Sequence, residues 1–504
     1  MSFASAGQAA KVKVWHHSAP AQFEKARLKH AVISNEGAVR LSRQLKPLAA
    51  LEATHVWDVV EDKSGNLFAA TGDEGKIYKI TPAGKVSVAF AGDDSQILCL
   101  ALASDGVLYA GTGPGGLVLR IAPDGSGKVL YKSPETYIWC LAVSADGHTI
   151  YAGSGPKGQI YEVTAEGKAR VFYTTRQEHI LALAVAADGM LYAGTDKNGL
   201  VYRIDAKGKG FVLYSTPQTE VRSLLVTADG IYAGTSSPTR RRSSAPATPG
   251  GSSPLLPSPP RTPGTPASAG GDSPKTTAEG AGAAIGLSAA ATSVDPFDKS
   301  NPASSSPPPL VGENSLYRIA PDGTVRELFR EKALLLSLLR HNGHIFIGTG
   351  MDGQLFEVDE ATKERSEIAR LDHGQIHALC RRQDGSIVLA TGDPGKLYVL
   401  QDQYAPSGTI VSDVLDAKLI SKWGSLRWKA QTAAATSVTV AVRSGNTSEP
   451  DETWSSWSAE QTDPEQAVIA APTARFLQYR VTLTTQDPSR TPALLSLALR
   501  YMTT

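Results

Sequence analysis

The glycine-rich segments are the first parts of the chain whose residue types and spacing suggest a chemical role. Residues 111–116 read Gly-Thr-Gly-Pro-Gly-Gly, and residues 153–158 read Gly-Ser-Gly-Pro-Lys-Gly. A phosphate-binding loop needs such glycines at a strand-to-helix turn, where the N–H groups of the helix N-terminus face the phosphate. Here the same element recurs along the chain and leads into another apolar, strand-like segment. We therefore interpret these glycines as structural turns.

Groups that could hold a metal ion are the second candidate. Acidic residues occupy equivalent turns at Asp73, Glu74, Asp196, Asp352 and Asp393. Calcium requires several oxygen ligands that converge on one point, whereas these turns are spread along the chain. The three cysteines fall in apolar segments and are too few for a four-thiolate zinc site or a disulfide framework. We predict no metal site and no cofactor.

An internal repeat organises the sequence and must position any functional residue. Residues 97–131 and residues 138–173 share one pattern of apolar runs separated by Asp-Gly and Gly-x-x-Gly turns. The repeat recurs every 41 or 42 residues, and one interval of 113 residues fits this period if about 72 of them are an insertion. The chain therefore contains seven units. Their first-turn glycines, 41 or 42 residues apart except for one gap of 113, are Gly65, Gly106, Gly147, Gly189, Gly230, Gly343 and Gly385.

Each unit holds four short apolar runs rich in Val, Ile, Leu and Tyr, which is typical of four antiparallel strands. Four strands in about 40 residues, repeated seven times, predict an all-β fold with a seven-bladed β-propeller. We place the propeller at residues 30–405. The last unit has three clear strands, so we expect residues 38–45 to supply its outer strand and remove an open edge. Residues 409–415 are the competing candidate for that strand.

The strand pattern resembles that of WD-repeat-like, quinoprotein-like and sensor-type bacterial propellers over about 365 residues. This resemblance implies the propeller architecture. It implies no particular activity, because the units lack the repeated Trp-Asp dipeptide with its upstream Gly-His, the quinone-binding pattern and the sialidase Asp-box. The single Trp57-Asp58 pair lies at the start of a predicted inner strand, where a WD repeat does not have it.

One face of the predicted propeller gathers the residues that we assign to ligand binding. The loop that precedes each inner strand and the loop between the second and third strands emerge on this face, around the central channel. Residues at equivalent positions there differ in chemistry from unit to unit, while the flanking positions stay apolar, as a binding surface requires. The alternative is that these residues only cap the channel over bound water. These channel-mouth residues are Trp57, Gln96, Tyr137, Trp139, His179, Glu220, Arg222, Gln375 and His377.

These residues favour a non-catalytic binding or scaffold protein that holds a protein, a peptide or a glycan. The alternative is a polysaccharide lyase or glycoside hydrolase whose C-terminal domain binds carbohydrate. A glycosidase needs two carboxylates roughly 5–9 Å apart. Glu220 is the rim carboxylate that we place most directly, followed by Glu135 and Glu178. We assign no catalytic residue, and the balance of the sequence is against an enzyme.

Other segments flank or interrupt the propeller. We expect residues 1–29 to be a partly disordered N-terminal extension. Residues 237–312, dominated by Pro, Ser, Ala, Gly and Thr, predict a disordered insertion in the fifth blade.

The C-terminal residues 408–504 predict a separate domain. Their strands alternate apolar and polar residues, which indicates a β-sandwich. The closing strands resemble galactose-binding or discoidin-type domains, and this resemblance implies carbohydrate binding. A Trp-Ser-Ser-Trp-Ser segment is also similar to cytokine-receptor fibronectin-type domains. Its Trp454 and Trp457 are the candidate contact residues of this domain, or else part of its core or rim.

Charge and hydropathy limit the partners and the compartment. The chain has 50 Lys and Arg against 49 Asp and Glu, so the overall balance predicts no surface for nucleic acid or for an anionic membrane. No run of about eighteen apolar residues predicts a transmembrane segment. Residues 1–10 look like the end of an export leader. We expect a periplasmic or secreted protein if a leader was removed, and a cytoplasmic protein otherwise; the oligomeric state stays open.

Overall fold

The computed structural model describes residues 12–23, 25–72, 75–94, 96–237, 312–350, 352–362, 364–371 and 374–503. The structure is all-β, and the helical element in these ranges is the short 3-10 turn Pro20–Phe23. Within the same ranges, no helix has the length and apolar composition needed to cross a bilayer. The fold class predicted from the apolar runs and their turns is confirmed.

Seven four-stranded antiparallel sheets form the propeller, and each corresponds to one unit of the repeat. From inner to outer strand, blades one to four are Val56–Glu61, Leu67–Thr71, Lys76–Ile80, Val86–Ala91; Gln96–Leu102, Leu108–Gly113, Leu117–Ile121, Gly127–Lys132; Tyr137–Val143, Thr149–Gly155, Gln159–Thr164, Ala169–Thr174; and Ile180–Val185, Leu191–Thr195, Leu200–Ile204, Gly210–Ser215. Blades five to seven are Val221–Thr227, Gly230–Thr235, Asn314–Ile319, Val325–Glu331; Leu335–His341, His344–Thr349, Gln354–Asp359, Arg365–Arg370; and Gln375–Arg381, Ile387–Gly392, Lys396–Tyr404, Arg43–Ala50. The inner strands of neighbouring blades contact each other in a closed ring and so line the central channel.

The propeller core lies between neighbouring blades. Between blades two and three, for example, Tyr109, Ile138 and Tyr161 pack in one cluster with at most 2% of their surface exposed. Both faces of each blade are buried in this way, which explains why its strands carry apolar residues at consecutive positions. Burial of each such side chain stabilises the fold by about 2 kcal/mol.

A buried hydroxyl near the end of the second strand fastens the turn to the third strand. In blade one, Oγ1 of Thr71 donates to the carbonyl of Lys76 at 2.9 Å. In blade five, Oγ1 of Thr235 donates to the carbonyl of Ser315 at 3.2 Å, across the insertion. The framework of blade five is therefore the same as that of the uninterrupted blades.

The insertion begins and ends at this same turn. The backbone N–H of Ser237 donates to Oδ1 of Asn314 at 2.6 Å, so the residues on its two sides meet at the blade. The other residues of the predicted insertion at 237–312 lie outside the described residues, apart from Gly312.

The ring closes through a strand from near the N-terminus, but at a later position than the sequence pattern suggested. The outer strand of blade seven is Arg43–Ala50, in which Leu45 pairs with Leu400 and Ala49 with Leu397. Our expectation was residues 38–45. The structure places Val39–Leu41 in the C-terminal sandwich instead, because the side chains of Val39 and Leu41 fill its core. The competing segment also belongs to the sandwich, as the strand Ser407–Val411.

Nine strands form the β-sandwich around one apolar core. One layer contains Arg27–Lys29, Ser407–Val411, Thr436–Gly445 and Ala474–Thr485. The other layer contains Val12–His17, Ala31–Ile33, Val39–Leu41 and Ala493–Thr503. The long strand Leu415–Gln431 joins the two layers, because it pairs with the first up to Ser421 and with the second from Ser421 onward.

Residues 12–41 complete this sandwich, whereas we expected an extension at 1–29 and a propeller that begins at residue 30. Residues 1–11 of the expected extension lie outside the described residues. Trp15 pairs with Leu499, and Phe23 lies in the sandwich core with 1% of its surface exposed. Nδ1 of the buried His17 lies 2.5 Å from the hydroxyl of Tyr479. The apolar core of the C-terminal strands thus requires the N-terminal strands as part of its cover.

Candidate binding site at the channel mouth

The same irregularity marks the inner strand of every blade. Its pairing with the second strand skips one residue directly after the first buried apolar residue, as in a β-bulge. A bulge redirects the skipped side chain out of the regular alternation. We call these seven residues the bulge ring: Trp57, Leu98, Trp139, Leu181, Arg222, Leu336 and His377.

A second ring lies two residues before the first, where each inner strand begins. Its members lie opposite the last residues of the second strands, as in the pairs Gln96 with Gly113 and Tyr137 with Gly155. We call these residues the mouth ring: His55, Gln96, Tyr137, His179, Glu220, Leu334 and Gln375.

The nine residues predicted for the channel mouth all belong to these two rings. Five further members were not predicted. Four of them are leucines, which the sequence alone does not distinguish from leucines of the core. The fifth, His55, lies just before the apolar run that identified its strand. The constant spacing from the repeat was the signal that could have found them: His55, Leu98, Leu181, Leu334 and Leu336.

An aromatic cluster lies where blade seven meets blade one. The His55 ring stacks on the Trp57 ring with centroids 4.7 Å apart, and the His377 ring lies 4.5 Å from that of Trp57. Nδ1 of His55 is 3.3 Å from Nε2 of His377, within hydrogen-bonding distance. Burial, followed by the neighbouring His55 and Arg222, lowers the pKa of His377 to about 3. His377 is therefore neutral near pH 7.

Trp57 contributes an unused donor to the same cluster. Its indole Nε1 is buried and has no hydrogen-bond partner in the part of the chain that the structure describes. A buried donor without a partner costs free energy, on the order of 1–3 kcal/mol. An unsatisfied buried donor needs an explanation, and a ligand that accepts a hydrogen bond from Trp57 would provide one.

A second aromatic cluster lies at blades three and four. The rings of Tyr137 and Trp139 are stacked with centroids 4.6 Å apart. The indole Nε1–H of Trp139 donates to Nδ1 of His179 at 2.9 Å. Because Nδ1 accepts this bond, the proton of the His179 ring is on Nε2, which leaves an N–H donor for a ligand.

Glycines at the ends of the second strands make room for these rings. A side chain at Gly155 would overlap Nδ1 of His179 and come within 2.8 Å of Nε1 of Trp139. A side chain at Gly392 would overlap both His55 and His377. The glycine-rich segments of the sequence are therefore structural turns that also allow the mouth side chains to approach the backbone closely.

Three groups near His179 have the residue types of a metal site. Ligand atoms of Glu178, His179 and Asp196 lie within 4.8 Å of one another. Each group is already engaged by the protein: Glu178 pairs with Lys197, and Oδ1 of Asp196 accepts the backbone N–H groups of residues 178 and 179 at 3.1 and 2.8 Å. Nδ1 of His179 accepts the Trp139 donor. The fold accounts for this cluster, and we assign no metal to it.

The carboxylates considered for catalysis are engaged as well. Oε2 of Glu220 accepts from Nη2 of Arg222 at 3.1 Å, so the acid of the mouth ring neutralises the cation of the bulge ring in the same blade. Oε2 of the buried Glu135 accepts the backbone N–H of Lys157 at 2.9 Å. Glu178 is held by Lys197.

The two tryptophans proposed as contacts of the C-terminal domain have different environments. Trp454 is buried, and its Nε1 donates to Oγ1 of Thr447 at 2.8 Å, so it is not available to a ligand. Trp457 is partly exposed, with the guanidinium groups of Arg443 and Arg480 at 4.6 and 4.9 Å from its ring. Arg443 also lies 5.5 Å from the Trp454 ring, so the two tryptophans of the segment alternate with Arg443 and Arg480 in one stack.

A cavity of about 460 Å³ was not foreseen from the sequence. It lies between the N-terminal strands of the sandwich and blades five and six. Apolar side chains such as Phe23, Leu28 and Phe356 line it together with Glu367 and Arg370, which form an ion pair at 2.6 Å. Its residues come from distant parts of the chain, so no local motif marks it.

Comparison with known proteins identifies the fold. No family model and no curated protein matches the sequence. The streptogramin B lyase structure superposes with a TM-score of 0.50 at 12% identity, over 71% of this chain and 97% of that chain. Virginiamycin B lyase from Staphylococcus aureus gives 0.49 at 13% identity over 75% and 100%, and the WD40 β-propeller domain of Doa1 gives 0.48 at 11% over 71% and 97%.

The chain is a seven-bladed β-propeller with a β-sandwich. The seven four-stranded sheets and the superposition on the streptogramin B lyase structure support the propeller, and the nine strands around one apolar core form the sandwich. At 12% identity the similarity concerns the fold alone, and the activity named for that protein is not transferred to this one.

Proposed function

We propose that the chain is a non-catalytic binding protein whose channel-mouth face holds a peptide, a protein segment or a glycan. One observation carries the proposal: two rings of side chains vary in chemistry from blade to blade, while the bulge that positions them occurs in all seven blades. A constant framework with variable side chains is how repeat proteins build binding surfaces.

The chemistry of the rings suits a ligand with both apolar and polar groups. The His55–Trp57–His377 cluster and the Tyr137–Trp139–His179 cluster lie on nearly opposite sides of the seven-blade ring, and aromatic rings bind sugar faces and apolar side chains. Gln96 in blade two and Arg222 in blade five lie between the clusters and supply hydrogen-bond donors, and Gln375 adds another in blade seven. Tryptophan, tyrosine and arginine are also the residues that dominate binding energy in protein interfaces.

The enzyme alternative has less support from the same site. A glycoside hydrolase needs one carboxylate to move a proton and another to act on the sugar ring. Glu220, Glu135 and Glu178 are instead held by Arg222, by the Lys157 backbone and by Lys197. These contacts favour structural roles for all three.

Selection of ligands by the full chain tests the proposal. The wild type is presented to a random peptide library and to a glycan array, and each ligand found is titrated against a Trp139→Ala/Arg222→Ala variant. Loss of two central side chains should weaken binding at least thirtyfold, since a single such residue is worth about 2 kcal/mol. Thermal unfolding of the variant checks that the ring is intact.

A matched variant controls for the loss of one aromatic and one basic side chain. Phe211→Ala/Lys128→Ala removes exposed residues from the outer strands of blades four and two. It should bind like the wild type. Ligands that bind both variants equally well, or a wild type that selects no peptide and no glycan, would overturn the proposal.

A further inference from the structure

One layer of the sandwich has an outer face with a marked imbalance of charge. The adjacent strands Val12–His17, Ala493–Thr503 and the second half of Leu415–Gln431, from Ser421 onward, contain no acidic residue. The chain as a whole is nearly neutral. The even overall balance therefore conceals a local segregation of positive charge.

The strand register shows which side chains share this face. One row across the three strands contains Lys422, Met502 and Val12, which pair in that order. A second row contains Arg427, Ala498 and His16. The alternate residues Leu426, Leu499 and Trp428 lie in the core. Side chains alternate between the two faces of a strand, so these outward residues form a continuous surface. We call its cations the basic face: Lys422, Arg427, Lys429 and Arg500.

The basic face is free to attract an external anion. Lys422, Lys429 and Arg500 are exposed and form no ion pair with the described residues. Arg427 donates to the carbonyls of Leu426 and Ala467, not to a carboxylate. The nearby Asp416, on the same long strand, is already held by Arg475 and Lys418.

Apolar side chains border the cations on the same face. Val12, Val14 and Met502 are 53%, 56% and 38% exposed, and Val12 pairs directly with Met502 while Val14 pairs with Arg500. At the same end, the exposed Leu419 and Ile420 immediately precede Ser421. Exposed apolar side chains do not favour the binding of a soluble polyanion, whereas a bilayer surface accepts apolar side chains next to its charged head groups.

We propose that the basic face docks the protein on an anionic lipid surface, with Val12, Val14 and Met502 inserted among the head groups. The face spans about 20 Å along the strands, since Met502 and Ser496, the partners of Lys422 and Lys429, are six residue intervals of about 3.3 Å apart. Each basic residue near an anionic bilayer strengthens binding about fivefold. The proposal concerns a surface of the sandwich and does not depend on the channel mouth.

Vesicle sedimentation with the full chain tests the charges. The wild type should bind vesicles of equal parts phosphatidylglycerol and phosphatidylcholine, should not bind pure phosphatidylcholine, and should lose binding as salt rises. Lys422→Gln/Lys429→Gln should weaken binding on the order of 25-fold. The matched control Lys85→Gln/Lys128→Gln removes two exposed lysines from the propeller and should bind like the wild type.

A second pair of variants separates a bilayer from a soluble polyanion. Val14→Ser/Met502→Ser should weaken vesicle binding at least threefold but leave retention on a heparin column unchanged. Equal binding to charged and uncharged vesicles, normal vesicle binding by the double glutamine variant, or binding to heparin without binding to vesicles would each overturn the proposal. Thermal unfolding of every variant is measured alongside, so that weak binding by a misfolded variant is recognised.

Discussion

Replacement of Gly155 by alanine adds one methyl group at the most crowded point of the channel mouth. The new Cβ would overlap Nδ1 of His179 and lie 2.8 Å from Nε1 of Trp139. Gly155 does not have a positive φ, so alanine causes no backbone strain there. The destabilising part of the effect therefore comes from the overlap with the mouth side chains.

The structure allows the size of this effect to be worked out. Forcing the His179 ring aside breaks the hydrogen bond from Trp139, worth about 1 kcal/mol, and adds about 1–3 kcal/mol of overpacking. The lower entropy of the unfolded chain returns about 0.4–1 kcal/mol when alanine replaces glycine. We expect Gly155→Ala to lower the free energy of unfolding by about 1–3 kcal/mol.

Urea unfolding followed by tryptophan fluorescence measures this change. Blade five offers a matched control, because its equivalent position is Ser236, which already has a Cβ. Ser236 is buried, but Ser236→Ala adds no atom there and causes no overlap, so it should change the free energy of unfolding by less than about 1 kcal/mol. If Gly155→Ala is as stable as the wild type, or as mild as Ser236→Ala, the close approach of His179 to the backbone is refuted.

Three further predictions follow from individual side chains. Burial raises the pKa of the Asp58 carboxyl to about 6, so the folded state binds the carboxyl proton more tightly than the unfolded state and loses stability as pH rises from about 4 to 6. In urea unfolding, Asp58→Asn should remove up to roughly 3 kcal/mol of this loss, and parallel stability–pH profiles of variant and wild type would contradict the prediction. The lowered pKa of His377 acts in the opposite direction, since its contribution to folding stability is complete above pH 6.5 and is lost as pH falls towards 3. The His377→Gln variant should therefore lose less stability in acid than the wild type, and NMR signals of the His377 ring that titrate between pH 5 and 8 would contradict the lowered pKa. Arg443→Ala should lower the stability of the sandwich by about 1 kcal/mol and shift tryptophan fluorescence to longer wavelength, because Trp457 loses a stacked guanidinium group. An unchanged emission spectrum and unchanged stability would count against stacking of Arg443 on Trp457.

The propeller was predictable because its signal is periodic. Turn glycines such as Gly65 and Gly106 recur at a constant interval, and one unit explains the others. The closing strand was harder, because Val39–Leu41 and Arg43–Ala50 are adjacent strands with similar apolar patterns. Local alternation says that a segment is a strand, but it does not say which of two sheets the strand joins. The long-range burial of Val39 and Leu41 decides that.

The candidate site was predictable only in part, for a related reason. The repeat placed residues such as Trp139 and Arg222 at equivalent positions, and their unlike chemistry drew attention to them. It did not reveal which side chains touch: the partners His55 and His377 are 322 positions apart. The charged face of the sandwich was hidden as well, because its cations come from strands that are far apart in the sequence and become neighbours only when Leu415–Gln431 pairs with Ala493–Thr503.

The structure of this protein in complex with a peptide or glycan that it selects would test the central claim most directly. The account predicts that the ligand lies at the channel mouth and contacts Trp139, Arg222 and the His55–Trp57–His377 cluster. A ligand bound instead on the outer strands of the blades or in the cavity beside Phe23, with the mouth residues unchanged, would contradict it.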